Sequence, residues 1–323
     1  MELKDIYRPI VEDLKQVGVN FKQFAAEYCH DFPQLSRMLK HTLVGGKIIR
    51  PALVFLSGKC FNYNRQQLLK MATSSELLHI ATLVHDDAID RAATRRGRET
   101  VNNLWGIDKA VLLGDFLFAH AGVIAATTES TRIVKLFSQT LKYLSGAELD
   151  QAYNAYNTEQ SYQQYIKRIG GKTASLMSMS SEGGAILGGA SEEEIIAMKD
   201  YGYNLGLAFQ IIDDILDFSG SEQTMGKPVG SDLSQGTLTL PAMMLLEREP
   251  RNDIIAKIFR GEDKEASIRE VVMMVNHSSI IEDCYAKAVT FSEEARNSLK
   301  ELPSNENRRQ LEVLAEFLIK RDR

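Results

Sequence analysis

Apolar residues recur at three- and four-residue spacing along almost the whole chain, with charged and polar side chains between them. That period predicts amphipathic helices over 3–17, 34–44, 51–60, 74–90, 109–127, 132–153 and 162–187, then a further set from Leu240 onward. Breakers are few. Gly45-Gly46 ends a helix and Pro51 suits the first turn of the next, while Arg260-Gly261-Glu262-Asp263 and Leu302-Pro303-Ser304 interrupt the last third. No repeat, low-complexity tract or linker divides the chain, so the pattern predicts an all-α protein with one domain over 1–323.

Two of these apolar runs end in carboxylates. The first, SSELLHIATLVHDDAID from Ser74 to Asp90, carries Asp86, Asp87 and Asp90. Asp86 and Asp90 are four apart and so lie one turn apart on the same helix face. A lone acidic run of this kind is most simply a solvated face, but this one emerges from Ile80, Ala81, Leu83 and Val84. Carboxylates on the lip of an apolar cavity call for a counter-charge, and a hard divalent cation with oxygen ligands supplies it. The second run, FQIIDDILDF from Phe209 to Phe218, repeats the device with Asp213, Asp214 and Asp217. Two such helices can face their carboxylates across a gap and hold Mg²⁺, which prefers to share its coordination with phosphate oxygens.

Composition narrows the classes without choosing among them. The 323 residues carry a formal net charge of -5, which gives no sign of a nucleic-acid binder. Cys29, Cys60 and Cys284 are scattered and odd in number, which argues for a reducing compartment and against disulfides or structural zinc. The N-terminal stretch lacks the hydrophobic core of a signal peptide. The apolar stretch 109–128 contains Asp115 and His120 and fits a core helix better than a membrane span. The expected location is cytoplasmic.

With the paired DDxxD runs, three further segments complete a resemblance to the trans-isoprenyl diphosphate synthases that covers roughly Gly45 to Pro241. They are GGKIIRP from Gly45, RRG from Arg95 and the Lys172-Thr173 pair. Read alone, the first is a helix-loop-helix with two solvated cations, the second a basic loop and the third a tightly packed helix. The resemblance implies a single large helical bundle of the isoprenoid synthase type with a central apolar cavity. It implies Mg²⁺, three ions per active site, held by Asp86, Asp87, Asp90, Asp213, Asp214 and Asp217. Isopentenyl diphosphate would be bound by Lys47, Arg50, His79 and Arg96, and an allylic diphosphate, farnesyl or geranylgeranyl, by Arg95, Lys172 and Lys227. Lys172, Thr173 and Gln210 would steady the developing carbocation. His85 would be a partner of the metal ligands, and Asp232 matches the aspartate that follows the flap lysine. Many members carry a second lysine five residues after that aspartate, where this chain has Thr237. Relatives are usually homodimers, and a few need a different second chain. The basic KRDR terminus resembles termini that help close the site.

Product length has its own signal. The growing chain should run down the first aspartate helix, past Ala81 and Thr82, then Leu78 and His79, then Ser75 and Ser74, each turn advancing about 5.4 Å. Short-chain relatives block the tunnel with an aromatic residue at the Ala81 or Thr82 positions. Alanine and threonine leave it open, so the resemblance implies a medium- or long-chain all-trans product, hydrophobic enough to partition into a membrane. Geranylgeranyl diphosphate synthase and a partner subunit of a heteromeric synthase are the alternatives. A terpene cyclase would carry a different second metal motif, and a di-iron carboxylate protein would want Glu-x-x-His pairs.

Overall fold

The computed structural model describes residues 2–220 and 228–320 and is almost wholly helical. In chain order the elements are α1 (Leu3–Ile6), a 3₁₀ turn (Arg8–Ile10), α2 (Val11–Glu27), α3 (Pro33–Thr42), α4 (Ile49–Lys59) and α5 (Arg65–Ile89). A two-stranded hairpin follows, β1 (Thr94–Arg95) and β2 (Arg98–Glu99), then α6 (Val101–Trp105), α7 (Ile107–Ala126), α8 (Thr131–Tyr153) and α9 (Tyr162–Ile169). A π-turn (Gly170–Ala174) leads into α10 (Ser175–Leu187), and α11 (Glu192–Ser219) is the longest helix among the described residues. Helices at Ser231–Ser234, Leu240–Arg248, Ile254–Arg260, Lys264–Asn276, Ile280–Ser298 and Glu306–Lys320 complete the fold.

Three departures from the periodicity have local causes. The helix expected over 3–17 is interrupted at Pro9, whose ring removes a backbone donor, so the chain turns through a 3₁₀ segment before α2. The helix expected over 162–187 is interrupted by the π-turn at Gly170-Gly171. The polar stretch after Asp90 is a hairpin rather than a loop. Its two central residues, Arg96 and Gly97, both have positive φ (51° and 73°), which is the turn that matches strand twist.

The chain separates into two compact units that are interleaved in sequence. One comprises 1–140, 176–202 and 296–314, the other 141–175, 203–295 and 315–323. In the first, α5 packs chiefly on α7. Small residues make this possible: Ser74 Oγ donates to the Ala121 carbonyl at 2.8 Å, and the His85 ring occupies the space a side chain at Gly114 would need. Within the same unit Gly58 on α4, Gly184 on α10 and Gly188 just after it bring two backbones into direct contact. The second unit has its own apolar core, in which Ile211, Ile212, Ile215 and Phe218 of α11 meet Leu238, Leu240, Ile255 and Val271. That burial aligns the aspartates of α11, because Ile212, Ile215 and Leu216 leave few other directions for residues 213, 214 and 217.

A buried carboxylate clamps the amino-terminal helix. Asp13 on α2 is 5 % exposed and is met by Lys59 (2.9 Å), Arg65 (2.8 Å) and the Tyr63 hydroxyl (2.7 Å). Burial alone would raise its pKa, but the Tyr63, Arg65 and Lys59 hydrogen bonds outweigh it and hold the carboxyl below its ordinary range. Asp13→Ala should therefore cost about 2 kcal/mol in a urea titration at pH 7, because it strands a partly buried lysine. A depressed folded-state pKa gives stability above the unfolded value, lost as pH falls through the folded one. The difference between wild type and variant should accordingly shrink in acid.

Candidate active site

In the first unit a cationic face and an acidic helix end lie on adjoining segments. The loop 43–48 enters α4 through Ile48, which has a φ of 45°. The Tyr7 hydroxyl donates to the Lys47 carbonyl at 2.9 Å and fixes the loop, leaving the Lys47 side chain exposed. A Cβ built on Gly46 would stand 3.3 Å from Arg96 Nη1, so the glycine lets the hairpin arginine reach the loop. Two motifs 50 residues apart are thereby joined.

His79 and Glu76 lie on α5 in the field of the same cations. Burial, then Arg50, Arg96 and Arg95, push the His79 imidazole well below its ordinary pKa, so it is neutral at pH 7. Glu76 is 5 % exposed, and its pKa is raised by burial against the opposing pull of Arg50 and Arg96. Sequence reasoning passed over Glu76, although its position one turn before His79 marks the same face.

At the end of α5 the three aspartates differ. Asp86 is half-buried and Asp90 exposed, whereas Asp87 is buried and takes the Arg95 Nε–H at 2.7 Å. Burial raises the Asp87 pKa and Arg95 opposes it. His85 turns to α7: its Nε2 lies 3.0 Å from the Val111 carbonyl and 3.4 Å from Asp115, with Phe118 edge-on to the ring. Further back on α5, Ala81 and Leu78 are buried, Ser74 and Ser75 are buried with hydroxyls bonded to backbone carbonyls, and Thr82 is half-buried with its hydroxyl on the His79 carbonyl.

The second unit holds the other residues. The π-turn carries Lys172 and Thr173, and Gly171 allows it to press on α8, where a Cβ would stand 2.7 Å from Ala147 Cβ and 3.2 Å from the Tyr143 carbonyl. Lys172 Nζ forms an ion pair with Glu148 on α8 at 2.7 Å. Glu148, which no sequence motif marks, sets the direction of the lysine. The Thr173 hydroxyl donates to Gln210 Oε1 at 2.6 Å, and Gln210 Nε2 donates to Asp214 Oδ1 at 2.9 Å. Tyr165, buried and unmarked in the sequence, donates its hydroxyl to Asp214 Oδ2 at 2.8 Å. Burial and the charge of Asp232 push Asp214 up to about 7, against the Gln210 and Tyr165 hydrogen bonds. Asp213 is half-buried, while Asp217 is buried and accepts the Asp232 N–H at 3.1 Å. Thr237 N–H donates to the Asp232 carbonyl at 2.9 Å. Lys227 and the terminal 321–323 lie outside the described residues.

Among the described residues no three carboxylate, imidazole or thiolate side chains converge on a point. Each acidic motif instead offers hard oxygen donors at its less buried positions, exposed Asp90 and half-buried Asp86 in one and half-buried Asp213 in the other. Such a set fits Mg²⁺, which is held by one or two carboxylates and completes its shell with water and phosphate rather than with a protein cage.

An almost wholly helical fold with two aspartate-rich helix segments, one beside an arginine-lysine face and one beside a partly buried lysine-threonine-glutamine group, defines a helical isoprenoid synthase. The polyprenyl synthetase family model matches residues 32–275, and the chain belongs to that family. It is 35 % identical over 323 residues to heptaprenyl diphosphate synthase component 2 of Geobacillus stearothermophilus, covering 100 % of both chains. It is 37 % identical over 284 residues to solanesyl diphosphate synthase 1, chloroplastic, of Arabidopsis thaliana, covering 86 % of this chain and 69 % of that one. The fold superposes with a TM-score of 0.93 on a polyprenyl synthase from Caulobacter crescentus, solved with calcium and isoprenyl diphosphate. That pair is 29 % identical, and the match covers 100 % of this chain and 98 % of the other.

Proposed function

We propose that the protein is a Mg²⁺-dependent, all-trans polyprenyl diphosphate synthase that condenses isopentenyl diphosphate onto an allylic diphosphate, giving a medium- or long-chain product. The observation that carries this reading is that each acidic motif is bonded into a group with phosphate-type residues: Asp87 takes Arg95, which with Arg50 and Arg96 surrounds His79, and Asp214 is linked through Gln210 to Thr173, the neighbour of Lys172. Mg²⁺, three ions in the full reading, would be held by Asp86, Asp90 and Asp213, and when bound it supplies positive charge that makes diphosphate a leaving group. Arg95 and Lys172, with Lys227, bind the allylic diphosphate. Lys47, Arg50, Arg96 and neutral His79 bind isopentenyl diphosphate, and an uncharged imidazole there donates one hydrogen bond without competing for a proton. Thr173 and Gln210 turn oxygen dipoles toward the carbon that loses the diphosphate. Once the new carbon–carbon bond has formed, the departing pyrophosphate takes the proton, and the apolar walls keep water from the cation.

The absence of an aromatic side chain at Ala81 and Thr82, with Thr82 half-buried, supports a tunnel open past the first turn below Asp86. Purified protein incubated alone with Mg²⁺, isopentenyl diphosphate and farnesyl diphosphate should yield a ladder ending in one long product, resolved by chain length after dephosphorylation. A ladder ending at geranylgeranyl would overturn the length reading. Ala81→Tyr should shorten the longest product by several isoprene units, and an unchanged ladder would remove Ala81 from the tunnel. A second reading, a subunit that needs a different partner chain, is favoured by the component name of the Geobacillus relative. It predicts no product from the chain alone and product on adding the partner.

A homodimer is supported by α7, where Ile107, Val111, Leu112 and Val123 are exposed on a helix whose other side packs on α5. This helix is long and apolar enough to cross a membrane by length and composition. A cytoplasmic location with the α7 faces of two copies together is the reading proposed. Light scattering at micromolar protein without detergent should give the mass of two chains.

A further inference from the structure

We propose that Asp214, with Tyr165 behind it, is a positioning group that locks the Gln210 amide and the Thr173 hydroxyl in one orientation, and is not a metal ligand. The inference deepens the proposed synthase reading and rests on it. Its basis is a four-residue chain of hydrogen bonds in which each donor direction follows from the one before. The Tyr165 hydroxyl and the Gln210 amide both donate to the Asp214 carboxyl group, which is the acceptor at one end of the chain. Asp214 spends Oδ2 on the Tyr165 O–H at 2.8 Å and Oδ1 on Gln210 Nε2 at 2.9 Å. With Nε2 committed to the aspartate, Gln210 Oε1 must point the other way, and there it accepts the Thr173 hydroxyl hydrogen at 2.6 Å. The Thr173 proton is thus used inside the chain, and the lone pairs of Oγ1 are what the hydroxyl presents elsewhere.

That direction matters for the chemistry. A reacting carbon that becomes electron-poor is stabilised by oxygen lone pairs and opposed by a donated O–H. Rotating the Gln210 amide by half a turn would put an N–H against Thr173, occupy one lone pair of Oγ1 and release its proton toward the substrate. Asp214 opposes that rotation, because its Oδ1 would then face the Gln210 carbonyl oxygen instead of the amide N–H. Burial separates Asp214 from the ligand role. It is 2 % exposed, whereas Asp213 beside it is half-buried. Tyr165 is fully buried, and losing its hydroxyl would leave Asp214 Oδ2 without its donor. Gly206 allows the close packing that holds the two sides of the chain together: a Cβ there would come within 2.9 Å of Ala174 Cβ, next to Thr173.

The test is Asp214→Asn, which keeps size but presents an N–H to Gln210 and so favours the reversed amide. Mn²⁺ binding is followed by electron paramagnetic resonance and turnover is measured with farnesyl and isopentenyl diphosphates. Asp214→Asn should bind Mn²⁺ within twofold of wild type and keep both KM values within threefold, while kcat falls about thirtyfold. Asp213→Asn should lose Mn²⁺ affinity. Tyr165→Phe, a milder change, should lower kcat about fivefold with unchanged Mn²⁺ binding. Adding Asp214→Asn to Thr173→Val should slow the enzyme no further, since the orientation being lost is that of Thr173. A loss of Mn²⁺ affinity in Asp214→Asn equal to that of Asp213→Asn, or full additivity with Thr173→Val, would overturn the proposal. Absence of product from wild type, both alone and with a partner chain added, would overturn the synthase reading instead, and the Mn²⁺ comparison would still decide whether Asp214 is a ligand.

Discussion

Asp86→Asn is expected to lower turnover by roughly a thousandfold at saturating substrate and to raise the Mg²⁺ concentration needed for half-activity, because it removes a charged oxygen donor where diphosphate charge must be neutralised. Asp87→Asn, one residue along, should behave differently. Its carboxylate is buried and paired with Arg95 at 2.7 Å, so the variant frees the arginine proposed to bind the allylic diphosphate. The expected result is a KM for the allylic substrate raised about tenfold with the Mg²⁺ midpoint nearly unchanged. Steady-state kinetics over a Mg²⁺ series reads both quantities. Equal shifts of the Mg²⁺ midpoint in the two variants would put Asp87 among the ligands and remove the distinction drawn from its burial.

Gly184→Val is expected to leave little folded protein. A methyl at this position would overlap the Val54 carbonyl oxygen and come within 3.0 Å of Ser57 Cβ and 3.1 Å of Gly58 N, and two of these neighbours are helix backbone. Relief therefore requires α4 and α10 to separate along Gly58, Gly184 and Gly188, at a cost of more than about 3 kcal/mol. Circular dichroism during urea unfolding should show a midpoint far below wild type, or no cooperative transition. Gly18→Ala on α2 is the counterpart: nothing lies within 4 Å of its Cβ, and the helix should gain up to about 1 kcal/mol. A near-neutral Gly184→Ala would show that the two helices can slide apart cheaply.

The sequence alone determined the helical class, because the three-to-four period is a local property repeated in every segment. It also determined the two carboxylate pairs and the cations after Gly46 and Asp90, because motif spacing fixes which side chains share a helix turn. Three things were decided only by tertiary structure. Pairing across helices assigned Glu148 to Lys172 and Tyr165 to Asp214, residues 24 and 49 positions apart, for which no local period exists. Burial separated aspartates that look equivalent in DDxxD, since Asp87 and Asp214 are buried among their hydrogen-bond donors while Asp86 and Asp213 are only half-buried. Backbone approach explained the glycines: Gly46 leaves room for Arg96, Gly171 for α8 and Gly184 for α4, and each requirement comes from a segment distant in sequence. Spacing along one helix reports which side chains can act together, and only the packing of other helices against it determines which of them remain available.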